Sequence, residues 1–403
     1  VKRVAVTGLG AVTPLGHDTE TFWEGVTNGR LGFGPITCAL HERLTQKVAA
    51  PVAGFDPLAH FDEKSLAILD RVSQFAIVAA REAIAQSGLV IDGALSERTA
   101  AIVGTGSGGM GTQDDAYRRV FLENLNRVFP LTIPRLMVNA PASLVSMHCG
   151  IRGPTFVTAS ACASATHAIG QAFHMVRSGM VDAAVTGGTE ASIVFGCMKG
   201  WEAMRIMAPD LPRPFSRDRK GMIIAEGAAM FVLEPLATAQ ARGATILAEI
   251  VGFGMSADAG DLTSPDEGGM TRAMLGALSD ASLSPSDVDY VNAHGTGTLV
   301  NDIAETAALK RVFGDHAPKL AVSSTKSMVG HALGAAGALE LLATVMALRE
   351  GLVPPTMNWL GPDPACDLDV VPNEARTMPI NIAISNSFAF GGLNAVLAVK
   401  RAA

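Results

Sequence analysis

The chain has 403 residues, 48% of them hydrophobic, with 42 glycines and only 5% aromatics; it is past the length at which one core usually stops growing, so two tightly joined halves or two domains are expected. A formal charge of -7, from 38 acidic and 31 basic residues, leaves no electrostatic footprint for nucleic acid or an anionic membrane. The five cysteines, at 38, 149, 162, 197 and 366, are odd in number, widely spaced and never in a Cys-x-x-Cys pair, which argues against a disulfide framework or a clustered thiolate metal site and fits a reducing compartment.

"RVAVTGLG" predicts a short buried strand from Val4 to Thr7 ending in a glycine turn, and "DTETFWEGVTNG" a capped helix after it. This opening is too short and too glycine-interrupted for a signal or a membrane span, so a cytoplasmic protein without membrane insertion is expected. Its glycines depart from G-x-G-x-x-G, with Thr13 at the last position, and "GTGSGGMG" over 104–111 has no following lysine; neither supports a nucleotide site. "LDRVSQFAIVAAREAIAQSG" predicts a helix from Arg71 to Gln86 closed by Gly88, "AAIVGTGSGG" a strand and glycine turn, and "LVSMHCG" part of a helix. "FVTASACASATHAIGQAFHMVRSG" reads as strand, turn and long helix, and "DAAVTGGTEA" as the next strand. Two strands, Ala228 to Leu233 and Ile246 to Gly252, flank a further helix. The theme then resumes with "DVDYVNAHGTGT", "KLAVSSTKSMVGHALGAAGALELLATVMAL" and "INIAISNSFAFGGLNAVLAVK". Alternation on this scale predicts a layered α/β fold with parallel strands. No repeat can be aligned in wording, and a boundary near residue 245 divides the chain into halves 1–245 and 246–403 of similar architecture. "GLVPPTMNWLGPDPACDLDVVPN" is a proline-fixed ordered loop rather than a linker.

Cys162 lies where a strand gives way to a helix, a setting in which unpaired N–H groups and the helix dipole favour a thiolate. Small buried cysteines are also common packing residues, and the local sequence alone leans that way. A nucleophile needs a partner and a place for negative charge to develop. His294, in "VNAHGTGT", and His331, in "STKSMVGHALGAAGA", also sit at strand-to-helix transitions, and such transitions gather at one edge of an α/β sheet. His17, His41, His60, His148, His167, His174 and His316 lack such settings and read as packing or surface residues. Lys326 lies five positions before His331, and Glu305 lies in the helix after the His294 turn. Asp302 and Glu305 share a helical face, but spacing places no third ligand, so no metal site is supported. "NSFAFGGLNA" offers glycines after an aromatic, a way to bring backbone N–H groups to a substrate; a turn between buried strands is the alternative.

Taken together, "RVAVTGLGAVTPLG", "DRVSQFA", "GTGSGG", "IRGPTFVTASACASATHAIG", "VTGGTEA", "RPFSRDRKGMIIAEGAA", "VNAHGTGT", "SSTKSMVGHALGAAGALE" and "NSFAFGGLNAVL" resemble the β-ketoacyl-acyl carrier protein synthase family of the thiolase superfamily. The resemblance spans essentially the whole chain and is closest to the synthase II type; "WEAMRIMAPD" and "NAHGTGTLVNDIAETAALKRVFGDHA" look like its nodulation-type branch. It implies a thiolase-like five-layered α-β-α-β-α fold built from two similar halves with mixed central sheets. It also implies the following roles: Cys162 as nucleophile, His294 and His331 as the two histidines, Lys326 orienting His331, and Glu305 as the carboxylate paired with Lys326. Phe390 falls on the aromatic that gates the acyl site, and Thr296 and Thr298 on threonines near the malonyl carrier arm.

The implied reaction is acyl transfer from an acyl carrier protein (ACP) to Cys162, then decarboxylative condensation with malonyl-ACP, with no cofactor beyond the carrier's own phosphopantetheine arm. The implied assembly is a homodimer. Departures from the family pattern are Ala389 before the gating aromatic, Leu393 before the final asparagine, and the small polar Ser107 where a larger apolar residue often lines the acyl tunnel; the last predicts a wider or longer tunnel. A coenzyme A thiolase would carry a second C-terminal cysteine where this chain has "NSFAFGG", and a non-catalytic chain-length-factor-like partner would lack the nucleophile. Fatty acid, polyketide and nodulation-type pathways share the same chemistry.

Overall fold

The computed structural model describes residues 1–402. Ten strands form one hydrogen-bonded sheet: β1 (Val4–Val12), β2 (Thr99–Gly104), β3 (Thr155–Thr158), β4 (Ala183–Glu190), β5 (Gly227–Pro235), β6 (Ala248–Ala257), β7 (Tyr290–Asn292), β8 (Ala321–Ser323), β9 (Ile382–Ala389) and β10 (Leu393–Arg401). Their order is β8-β7-β9-β10-β6-β1-β5-β4-β2-β3. Each set of five therefore has the same internal order, third-second-fourth-fifth-first, and the two sets join where the first strands pair antiparallel, Val4 opposite Ile250.

The polarity repeats as well. The second, third and fourth strands of each half are parallel, and the fifth runs antiparallel to both the fourth and the first. The parallel strands expected from alternation are the second, third and fourth of each half, and the sheet as a whole is mixed, as the family resemblance implies, because β4 and β5, like β9 and β10, are joined without a crossover helix lying on the sheet. β1 also outruns its expected end at Thr7, continuing to Val12 through its glycines. Those glycines are there for packing: a Cβ on Gly8 would stand 2.0 Å from the Ala83 carbonyl oxygen, and one on Gly10 1.9 Å from that of Ala79. They let α1 (Arg71–Ser87) lie directly on the strand.

Pleating then sorts the side chains into layers. On β2, Ala101 and Val103 face α1 and α2 (Ala140–Cys149), whereas Ala100 and Ile102 face the middle of the molecule. On β10, Val396 and Ala398 face α4 (Glu267–Asp280) and α5 (Leu299–Phe313), whereas Ala395, Leu397 and Val399 face the middle. The middle layer is α3 (Ser164–Ser178) and α6 (Ala336–Glu350). Residues 336–348 of α6 are buried on every side, which is why its sequence is apolar all round rather than on one stripe. The result is the five-layered α-β-α-β-α arrangement. The chain segments that leave the C-terminal ends of β3, β7, β8 and β9 carry Cys162, His294, His331 and Phe390 respectively.

Candidate active site

Cys162 is the middle residue of a single 3₁₀ turn, Ala161–Ala163, that feeds α3. Ser164, fully buried, staples the turn: its hydroxyl accepts from the Ser160 N–H at 2.9 Å and donates to the Ala161 carbonyl at 2.7 Å. Ala161 is held at φ 50°, a left-handed conformation that costs a non-glycine residue about 1–3 kcal/mol and persists only where neighbours enforce it. His167 hydrogen-bonds through Nδ1 with Ser160 Oγ at 2.8 Å and lies edge-on to Phe253, a helix residue supporting the turn from behind, as its sequence setting suggests.

The thiol is 6% exposed, and burial pushes its pKa up to about 11, against the opposing pull of the Lys326 charge and of the Phe390 and Cys162 backbone N–H groups. The two-unit rise is worth roughly 3 kcal/mol, more than the roughly 0.3–1 kcal/mol a helix N-terminus supplies. Burial of the site thus opposes the thiolate that a position before a helix favours.

His331 Nε2 lies 3.1 Å from Cys162 Sγ, and its Nδ1 accepts the Leu333 N–H at 3.2 Å. That acceptor bond assigns the ring hydrogen to Nε2. His294 is set in the same way: its Nδ1 faces Lys326 Nζ at 3.3 Å, again leaving Nε2 as the donor. Burial, together with the Lys326 charge, holds both imidazoles well below the ordinary histidine pKa, so both are neutral. The two rings stand 5.4 Å apart at 84°. Ligand atoms of Cys162, His294 and His331 lie within 4.8 Å of one another, a trio that can hold a soft metal only if the nitrogens turned to it carry lone pairs, which a protonated Nε2 lacks.

Two expected contacts are corrected. Lys326 pairs with Glu340, not Glu305, and both members of that pair are 2% exposed. Lys326 also donates to the His294 carbonyl at 2.6 Å, so the histidine it orients is His294 rather than His331. The reason is where each carboxylate sits. α5 starts directly after the His294 turn, and Glu305 reaches back to accept the N–H groups of His294 and Gly295, each at 2.8 Å, and the Asn386 amide at 3.2 Å. Glu340 lies one turn into α6, facing Lys326. The clue in the sequence is that Glu340 is a lone carboxylate inside "GAAGALELLATVMAL".

These groups open on a cavity of about 540 Å³ lined by Cys162, His294, His331, Thr296, Thr298 and Phe390 among others. The Thr296 and Thr298 hydroxyls are 2.9 Å apart. Phe390 stacks on Trp201, ring centres 6.1 Å apart, and is followed by Gly391 and Gly392 at φ 81° and 67°, turn conformations that glycine accepts freely. At the cavity's rim Arg205 and Lys220 are exposed and in no ion pair among the described residues, beside the exposed apolar Leu262, Leu299 and Val300. Ser107 is not among the residues lining this cavity; it is half-buried in the turn after β2, its N–H directed at the Glu190 carboxylate.

Comparison with known proteins agrees with this geometry. Residues 1–239 match the β-ketoacyl synthase N-terminal domain and residues 247–359 the β-ketoacyl synthase C-terminal domain. Nodulation protein E of Rhizobium sp. (strain N33) is 49% identical over 400 residues, covering 99% of each chain. The 3-oxoacyl-[acyl-carrier-protein] synthase 2 of Staphylococcus aureus (strain N315) is 43% identical over 408 residues, covering 99% of this chain and 98% of that protein. Among solved structures, a type II polyketide ketosynthase in complex with its acyl-carrier protein superposes with a TM-score of 0.90 at 30% identity over the whole of both chains. No described helix is long and apolar enough to cross a membrane.

Proposed function

The chain belongs to the β-ketoacyl synthase family, its Cys162, His294 and His331 supply condensing-enzyme chemistry, and on that premise we propose that it extends acyl-ACP with malonyl-ACP to give 3-oxoacyl-ACP and carbon dioxide. The observation that carries the reading is the Cys162 Sγ to His331 Nε2 distance of 3.1 Å with both histidines neutral Nε2–H donors. In the first half-reaction, sulfur attacks the carrier thioester. The backbone N–H groups of Cys162 and Phe390 receive the oxyanion, and the Cys162 proton leaves with the departing carrier thiol. In the second, the malonyl carbon–carboxylate bond breaks to release carbon dioxide. Negative charge collects on the thioester oxygen between the two Nε2–H groups, and the carbanion attacks the acyl-Cys162 thioester. Cys162 leaves as a thiolate that takes up one proton.

In this reading Lys326 orients His294, Glu340 balances the Lys326 charge and Glu305 fixes the His294–Gly295 backbone. Thr296 and Thr298 hold the malonyl carrier arm, Phe390 gates the acyl side, and Ser107 borders the acyl tunnel outside the cavity described above. The unpaired Arg205 and Lys220 would meet acidic groups of the carrier. A homodimer is supported by the open edge strand β3 with its exposed Phe156, and by the exposed Phe121, Met137 and Met147 nearby. The cysteine content favours a reducing, cytoplasmic setting. The higher identity to nodulation protein E than to the 3-oxoacyl synthases favours a specialised acyl product, to be read from the product profile with carriers loaded with short, medium and long chains.

Cys162→Ala should form no acyl adduct, by intact mass, and should not elongate. His294→Ala and His331→Ala should still load Cys162 while losing about 3 kcal/mol of transition-state stabilisation, a hundredfold or more in condensation rate. Normal elongation by Cys162→Ala would overturn the assignment.

A further inference from the structure

Among the buried ionisable groups that the reaction scheme leaves unused is Glu190, the last residue of β4. It is 0% exposed and in no ion pair among the described residues. Its carboxylate instead collects polar hydrogens. Oε2 accepts the N–H groups of Gly106 at 2.7 Å and Gly334 at 3.0 Å, and Oε1 accepts the hydroxyls of Ser192 at 3.0 Å and Thr105 at 3.3 Å. A buried carboxylate with this many fixed donors and no cation is a costly object, and the groups it binds are informative.

Gly334 is the internal counterpart of Cys162. Both are the middle residue of a three-residue 3₁₀ turn, Ala161–Ala163 before α3 and Leu333–Ala335 before α6, and each turn leads into a helix of 15 residues. Both turns begin with a non-glycine residue in the left-handed region, Ala161 at φ 50° and Leu333 at φ 46°. In the first turn the Cys162 N–H faces the cavity as an oxyanion donor beside Phe390, the residue that follows β9. In the second, the equivalent N–H is occupied by the side chain at the end of β4, the strand that matches β9 in the repeated order. A Cβ on Gly334 would fall 2.1 Å from the Gly106 nitrogen, so the space a nucleophile would need there is closed.

We propose that Glu190 fills this second, repeat-related nest of N–H groups and so acts as the positioning residue for His331. The proposal rests on the condensing-enzyme reading of the site. By holding the Gly334 N–H, Glu190 fixes the Leu333–Gly334 peptide and keeps Leu333 left-handed. Leu333 is thereby held between this anchor and its own N–H, which donates to His331 Nδ1, and that bond places the ring hydrogen on Nε2, facing Cys162. Without the anchor the 3₁₀ turn shifts, the Leu333 N–H moves away from Nδ1, and His331 populates the other tautomer, which presents no N–H to an oxyanion at the cavity. The same Oε2 also holds Gly106 in the turn carrying Ser107, so one carboxylate fixes both walls behind the nucleophile.

The test is Glu190→Gln, which keeps the volume but replaces an acceptor oxygen by a donor. Three quantities are read on the full-length protein: loading of Cys162 by acyl-ACP, decarboxylation of malonyl-ACP, and the ¹⁵N imidazole spectrum, with the His331 signals identified by their loss in His331→Ala. Loading should stay within about twofold while decarboxylation falls toward the roughly hundredfold loss expected for one missing oxyanion donor, and His331 should shift from the Nε2–H form to a tautomer mixture. Ser192→Ala, a milder perturbation of the same carboxylate, should move all three readouts in the same direction by less, and serves if Glu190→Gln does not fold. An unchanged His331 tautomer, or an equal fall in loading and decarboxylation, overturns the proposal. If His331→Ala itself decarboxylates normally, the condensing role of His331 fails instead, while the tautomer readout still decides the role of Glu190.

Discussion

The pair Lys326 and Glu340 separates stability from catalysis in a way that can be measured. Both side chains are 2% exposed, and removing one partner of such a pair strands a buried charge at a cost of about 3–5 kcal/mol. At roughly 2.1 cal/mol/K of unfolding entropy per residue, a chain of 403 residues converts that into a fall of about 4–6 °C in Tm. Lys326→Met and Glu340→Leu should each show it. The double variant, which replaces the pair by apolar groups of similar volume, should recover most of the loss, since an ion pair in the interior is worth little more than good packing. Decarboxylation of malonyl-ACP should not recover, because His294 Nδ1, 3.3 Å from Lys326 Nζ, has lost the donor that fixes its tautomer. The assay is thermal unfolding beside carbon dioxide release for the two single variants and the double. A double variant that regains both stability and decarboxylation would refute the orienting role of Lys326, and single variants as stable as the parent would refute the burial argument.

Two further outcomes follow, one from the burial of the site and one from the packing of α1 on β1. His331 is neutral in the folded protein, its pKa held well below the ordinary value, while in the unfolded chain it takes a proton as the pH falls through about 6.5; the unfolded state then binds the extra proton, so this residue's contribution to stability is lost on acidification. His331→Ala should therefore flatten the fall in unfolding free energy below pH 6.5 by about 1.4 kcal/mol per pH unit, read from denaturant titrations across that range. Gly10→Ala should lower stability by at least the roughly 1–3 kcal/mol of an overpacked core, since its Cβ would meet the Ala79 carbonyl oxygen at 1.9 Å; a variant as stable as the parent in urea would show that α1 can move away from β1.

What the sequence discloses here follows the range of the forces involved. Local signals were sufficient for α1, where Asp70 caps the N-terminus by accepting the Val72 N–H and Gly88 closes the helix at φ 64°, and for the placement of Cys162, His294 and His331 at strand ends. The length of β1 was not legible, because its glycines read as a turn until the helix that packs on them is present. Strand polarity was legible only through the family resemblance, which implies mixed sheets; the residues themselves do not disclose it, because parallel and antiparallel neighbours leave one apolar pattern in a sheet covered on both faces. The Glu305 partner that the family resemblance implied for Lys326 is overruled by packing: Glu340, 14 positions away in the chain against 21 for Glu305, is the carboxylate that α6 turns toward Lys326, while α5 turns Glu305 to the His294 backbone. Nor could the upward push on the Cys162 pKa be read, because a helix N-terminus is a local feature and desolvation belongs to the whole fold.

The repeated five-strand order explains why so few residues suffice to build the site. Both halves deliver their parallel strand ends to the middle of the molecule, and both place a 3₁₀ turn and a central helix there, so each half presents backbone N–H groups to the same region. The first half uses this geometry for a nucleophile and one of its two oxyanion donors, the Cys162 N–H. In the second half the equivalent nest is closed by Glu190 of the first, and the preceding segment of chain, from Lys326 to His331, serves electrostatics. That division lets the two halves be tuned separately: the Cys162 turn is held by Ser164 within its own half, whereas His331 is set by a carboxylate from the opposite half. Condensation, which needs all three reactive side chains, therefore depends on how the halves are packed together. The loading of Cys162 depends less on it, drawing on the other half for the Phe390 N–H and the Lys326 charge.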